Sequence, residues 1–290
     1  LKAKNRNSGL ILNNYVSNSL YNWSSLKSSD VNNATLELKK LDKRFENLKQ
    51  IQEVFLNCYY NSPNANYLFN KLTSNKKIDF SRYNYFQATY AESLGELDEA
   101  KNIAQSALKL YPRNLLLNQY KIDLREAKNI NVFNCKKEKH VIAEILYITA
   151  NALSSQSIYS LSNFYLKLAK YLNEDFHSFD TLMAENFYKI NNFVNAKKIY
   201  KDLSNKGEAF KWYSTKQLAI ILLQEEKKDN AIRLVSNTYK NLVNKDIYET
   251  FDFAEFLKNN EKFEDSIIYY TQVINKVKKD HSLYSESTDG

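Results

Sequence analysis

The sequence predicts an all-α fold, an α-solenoid of antiparallel helix pairs, and three observations predict it. Glycine (4) and proline (2) are scarce in a chain of 290 residues. That leaves too few turn residues for an all-β chain and suits helices joined by short polar loops. Small residues pair at an offset of twelve: Ala88 with Ala100, Ala150 with Ser162, Ala184 with Ala196, Ala219 with Ala231, and Ala254 with Ser266. From Ala150 onward the pairs recur in steps of 34, 35 and 35 residues. Finally, a polar break lies inside each pair: SLGELDE, SQSIYS, KINNFVN, QEEKKDN and KNNEKFED. A period of about 34 residues is that of stacked helix–turn–helix units.

The elements follow in order along the chain. Leu10–Leu26 and Asn33–Leu41 read as one degenerate helix pair. Arg44–Tyr60 and Asn64–Leu72 read as a second, with Pro63 at the turn and Ala34 and Ala65 as second-helix small residues. Ser81–Asn114 is the first clear unit, followed by a helix from Leu115 to about Lys128 without an evident partner. NINVFNCKKEKH then reads as a loop that breaks the phase. Units starting at Ala143, His177, Trp212 and Ile247 complete the array. The expected organisation is 1–128 N-terminal repeats, 129–141 irregular loop, 142–281 a four-unit array and 282–290 a tail. Small side chains at each crossing let helix axes approach to about 8–10 Å. In the unit from His177, Phe187, Ile190, Phe193, Ile199, Tyr200 and Leu203 fill the surrounding space. Each unit buries its apolar face only against its neighbours.

This register resembles the tetratricopeptide repeat (TPR) family. Ser81–Asn114 carries the resemblance through Ala88, Gly95, Ala100, Ala107 and Pro112, and departs from it at Ala91 and Ala104. Later units match through Ala150, Leu166 and Ala169, with Glu174 in place of the family's proline. Ala184, Phe187, Ala196 and Tyr200 follow, then Ala219, Ala231, Ala254 and Tyr270. The resemblance implies a right-handed superhelix of a bacterial-type multi-repeat protein, and the sequence reads as a piece of a longer chain. It also implies a concave face lined by four recurring positions of each first helix. Carried onto this chain, the binding candidates are Tyr147, Asn151, Thr181, Glu185, Tyr188, Tyr213, Lys216, Tyr248, Phe251 and Glu255. Glu144, Ser154, Ser178, Ile220, Leu223 and Lys258 occupy the remaining positions of those rows. The family's clamp for C-terminal carboxylates is not expected, because Leu182 stands where it needs Asn.

Nothing in the sequence assembles catalytic chemistry. His140, His177 and His281 are widely separated and fit no paired-ligand spacing, so surface or helix-start positions are expected and no metal. Four scattered glycines build no phosphate cradle, and no cofactor is implied. Acidic pairs such as Asp123–Glu126 and Glu225–Glu226 read as solvated faces. Cys58 and Cys135 lie 77 positions apart without a recognisable spacing and are expected to be free thiols. No apolar run is long enough to cross a membrane, and neither a cytoplasmic nor a periplasmic location is favoured. The expected function is a non-catalytic scaffold that binds a protein or peptide partner. An RNA-binding helical repeat of pentatricopeptide type ranks second. It is suggested by the net charge of +8 and by the likeness of FVNAKKIYKDLSNKG to that family's second helix and turn.

Overall fold

The computed structural model describes residues 2–26, 30–75, 80–126 and 132–290, and the side chains from residue 12 onward within these. Among the described residues there are sixteen α-helices and no strand. The end of the helix expected to reach Lys128 and the first three positions of the 129–141 loop lie outside them. The chain divides into two compact units, Leu1–Asn191 and Asn192–Gly290. That division falls within the array expected at 142–281.

The first unit holds α1 (Lys2–Ser24), α2 (Val31–Lys39), α3 (Glu46–Tyr59), α4 (Ala65–Thr73), α5 (Ser81–Ser93) and α6 (Leu97–Leu110). It continues with α7 (Leu115–Arg125), α8 (Glu138–Ser155), α9 (Tyr159–Leu172) and α10 (Ser178–Lys189). The second unit holds α11 (Phe193–Leu203), α12 (Glu208–Gln224), α13 (Lys228–Lys240), α14 (Ile247–Asn259), α15 (Phe263–Ile274) and α16 (Ser282–Asp289). Within each unit consecutive helices pack on one another, as a stack of hairpins requires. Helix α16 occupies the segment expected as a tail and packs on α15.

The small-residue register marks the interior. All ten members of the five pairs are 0 or 1% exposed. Where serine replaces alanine it also makes a bond: Ser162 Oγ donates to the Ala150 carbonyl at 2.7 Å. Asn22 Nδ2 donates to the Ala34 carbonyl at 3.2 Å, again across twelve residues. The same offset thus joins α1 to α2. Of the fillers named in the unit from His177, Tyr200 and Leu203 are buried but Ile190 is exposed.

A second signature of the repeat sits in the turns. Asn61 (φ 51°), Gly95 (83°), Ser157 (62°), Asn191 (57°), Glu226 (59°) and Glu261 (64°) all adopt left-handed backbone at the ends of first helices. The following amide closes the helix: Ser62 N donates to Asn57 O, Glu96 N to Ala91 O, Ile158 N to Leu153 O, Lys227 N to Leu222 O and Lys262 N to Leu257 O. These are Schellman closures, in which one left-handed residue satisfies carbonyls that the helix end leaves without partners. Glycine is the residue that adopts this conformation freely. Only Gly95 shows the turn by its residue type; elsewhere the chain places Asn, Ser or Glu in it.

The first unit departs most from a plain array. Helix α7 does have partners, packing on α5 and α6. The segment 132–137 is not a surface bend, and α8 begins earlier than the 129–141 loop allows, at Glu138. Phe133 is buried, with its ring centroid 5.4 Å from Phe55, 4.3 Å from Phe86 and 6.1 Å from Phe176. Asn173 Nδ2 holds the Val132 carbonyl at 2.8 Å. This inward course overturns the expectation of free thiols, because it carries Cys135 to Cys58 on α3. The two form a disulfide with Cα atoms 6.0 Å apart. It also buries His140, which sits in the first turn of α8, one of the two kinds of position expected for it, but away from solvent. The His140 Nδ1 accepts the Asn134 amide at 3.1 Å. Burial first, then the nearby Lys137 and Lys139, lower its pKa to about 4, so the ring is neutral. Helix α1 packs on α8 and is tied to α3 by one carboxamide. Gln52 donates to Tyr15 Oη at 3.2 Å and to Ser19 Oγ at 2.8 Å, and accepts from Trp23 Nε1 at 3.1 Å.

The candidate binding face of the first helices

The first-helix row of α8 is partly interior. Glu144 is 0% exposed. Arg82, from α5, grips it with both carboxylate oxygens at 2.7 Å and donates to Ser178 Oγ at 2.9 Å. The same guanidinium lies 3.9 Å from the ring centroid of Tyr147, which in turn meets Phe179 at 5.6 Å. Burial pushes the Glu144 carboxyl up, and the guanidinium pulls it back. A buried carboxylate gripped by a planar two-pronged donor is the arrangement that offsets desolvation best. Sixty-two positions separate Arg82 from Glu144, across the break in phase. No periodic signal in the sequence relates them, and Arg82 was not among the candidates.

Of the other candidates in the first unit, Asn151 is exposed, while Thr181, Glu185 and Tyr188 are half-buried. The Thr181 hydroxyl donates to the Ser178 carbonyl at 2.7 Å. Behind this row a buried knot joins three helices. Asn186 Nδ2 donates to Ser162 Oγ and Asn163 Oδ1, each at 2.8 Å, and its Oδ1 accepts from Ser154 at 2.6 Å. Ser154 therefore works between helices rather than facing outward. Asp123, expected on a solvated face, is buried and accepts from Gln119 at 2.8 Å.

In the second unit the row is half-open and braced from beneath. Tyr213 stands edge-on to Tyr200 at 6.1 Å. Lys216 of α12 pairs with Asp252 of α14, and its ammonium lies 5.8 Å from the Trp212 ring centroid. Tyr248 Oη meets His281 Nε2 at 3.4 Å. Glu255 accepts from the Tyr270 hydroxyl. Phe251 differs from its neighbours, being 6% exposed in a cluster with Ala254, Tyr270, Val273 and Leu283. Side-chain ties one repeat apart bind the helices in register, as in Lys216–Asp252 and in Glu208 with Asn244, whose Nδ2 donates at 2.8 Å. Among the described residues no group of three His, Cys, Asp or Glu could hold a metal ion. Nor is any helix there long and apolar enough to cross a membrane.

No protein-family model matches the chain, and no curated protein matches it. Solved structures similar to it include two tetratricopeptide repeat proteins. One is a tetratricopeptide repeat protein from Parabacteroides merdae, at 11% identity over 83% of this chain and 98% of that one, TM-score 0.37. Another is the P58(IPK) TPR domain, at 13% identity over 94% and 97%, TM-score 0.27. A third is the human IFIT1 dimer with m7Gppp-AAAA, at 10% identity over 89% and 71%, TM-score 0.31. The TPR-like character of this fold is carried by its own crossings, turns and hairpin pairing.

Proposed function

We propose that this chain is a non-catalytic scaffold that binds a protein or peptide partner on the first helices of its second unit. The observation that carries the reading is the braced row Tyr213, Lys216, Tyr248 and Glu255, half-open to solvent and held mostly by contacts from neighbouring repeats. Tyrosines held this way offer large contact area with little ordering left to lose on binding. Lys216 already has its counter-charge in Asp252. The row also carries Glu255 beside Lys258, so it offers no surplus of cations for a phosphate backbone, and RNA ranks second despite the net charge of +8.

The test is a pull-down with the tagged chain from a native lysate, split with and without RNase, alongside the variant Tyr213→Ala/Tyr248→Ala. A protein partner that survives RNase and is lost from the folded double variant supports the reading. Capture that disappears with RNase, or that ignores the double variant, refutes it.

A further inference from the structure

A separate groove opens on the second-helix side of the first unit. Its volume is about 670 Å³, its floor is α5, and its walls are α4 and α6. That volume falls in the range of ligand sites, roughly 300–1,000 Å³. Four carboxamides line it: Asn70, Asn84, Gln87 and Asn102. Gln87 at the floor is 4% exposed and donates to Asn70 Oδ1 at 2.8 Å, which fixes the Asn70 side chain. A carboxamide sets a donor and an acceptor side by side. Those are the two groups that every residue of an extended main chain presents. Two apolar side chains stand at the rim, Tyr67 at 65% exposed and Leu110 at 75%.

The groove's charges give it a direction. Lys71 lies in the last turn of α4 and Glu99 in the first turn of α6. Each wall helix returns antiparallel to α5, so the walls run parallel and the two charges sit toward opposite ends. One cation balanced by one anion does not suit a polyphosphate. We infer that this groove binds an extended polypeptide segment of a partner. The exposed carboxamides of Asn70, held by Gln87, and of Asn102 pair with the segment's main chain, and an apolar side chain of the segment lies against Tyr67 and Leu110. An acidic residue of the segment faces Lys71, and a basic one faces Glu99.

The experiment pans a phage-displayed library of random linear peptides on the full chain and measures the enriched peptides by fluorescence anisotropy. Enriched peptides are expected to carry an apolar residue between an acidic and a basic one. Lys71→Glu should weaken them at least tenfold, and replacing the peptide's acid by lysine should restore binding to that variant. Ser106→Trp, on the exposed wall, should block the groove while the thermal melt stays unchanged. Tyr213→Ala/Tyr248→Ala should bind as the parent does, which separates this site from the first-helix face. Three results would overturn the inference. One is a failure to enrich any peptide. Another is binding indifferent to both groove variants. The third is a single-stranded RNA or a glycan, rather than a peptide, bound in a manner that Ser106→Trp abolishes.

Discussion

The left-handed turn residues allow a stability experiment of opposite signs. Glu226 holds φ 59° and Gly95 holds φ 83° at equivalent turns. Left-handed backbone costs an ordinary L-residue about 1–2 kcal/mol. Replacing Glu226 by glycine relieves that cost but adds unfolded-chain freedom worth about 0.4–1 kcal/mol. The expected net effect is stabilisation by about 0.5–1 kcal/mol. Gly95→Ala runs the same cycle backwards. A Cβ built at Gly95 meets nothing within 4 Å, so no packing contact obscures the backbone effect. It should destabilise by about the same amount. The assay is urea unfolding followed by far-UV circular dichroism, read as a midpoint shift at constant slope. Loss of stability in Glu226→Gly, or none in Gly95→Ala, would refute the claim that these positions are one repeated turn.

Ala219→Leu, at a fully buried crossing opposite Ala231, should overpack the second unit by about 1–3 kcal/mol, and an unchanged thermal melt would contradict the register. Reducing Cys58–Cys135 should lower the urea midpoint. The bridge closes a separation of 77 residues, for which chain entropy gives about 4.5 kcal/mol as a ceiling, and equal midpoints with and without dithiothreitol would count against the bridge. His140 should make stability depend on pH. Its folded pKa is lowered to about 4 from 6.5, so the unfolded chain binds more protons between those values and stability rises with pH through that window. The contribution is complete above about pH 6.5, and its loss on acidification amounts to no more than about 3 kcal/mol. A titration in which His140→Gln shows the same slope as the parent would exclude this origin.

What could be read in the sequence was whatever repeats. A residue that must be small recurs wherever two helices cross, so Ala150, Ala219 and Ala254 mark the period in the sequence itself. The turns obey the same period, but their signal is a backbone angle. Gly95 reveals it by residue type, whereas Glu226 and Glu261 do not. In the second unit the candidates Tyr213, Lys216 and Tyr248 hold half-open places in register. Phe251 is enclosed instead, because α16 follows α15 and closes a core around it, and nothing periodic in the sequence announces that closing helix. Glu144 is enclosed too, because its partner Arg82 comes from outside the phased array. Cys58, Cys135 and Phe133 are placed by contacts across long and aperiodic separations, and His140 by the local turn that those contacts carry inward, and periodicity carries no information about either.

These aperiodic contacts share one location, and that has an energetic consequence. A helical array is held by nearest-neighbour interfaces, so a break in phase is where it should part first. In this chain the break runs from α7 to the start of α8. Across it the structure concentrates the Cys58–Cys135 bridge, the Phe133 ring among Phe55, Phe86 and Phe176, and the Arg82–Glu144 pair. All three connect segments that a plain array would leave to melt separately. They replace the missing repeat interface with long-range ones, so residues before and after the break should open together. Amide hydrogen exchange can observe this directly. With the bridge intact, the buried amides of α5 and α8 should share one opening free energy. Reduction combined with Arg82→Met should split them into two, because the buried Glu144 then loses its counter-charge while the loop loses its anchor. If the two helices already exchange independently in the parent, the break is a true boundary and the contacts across it do not couple its sides.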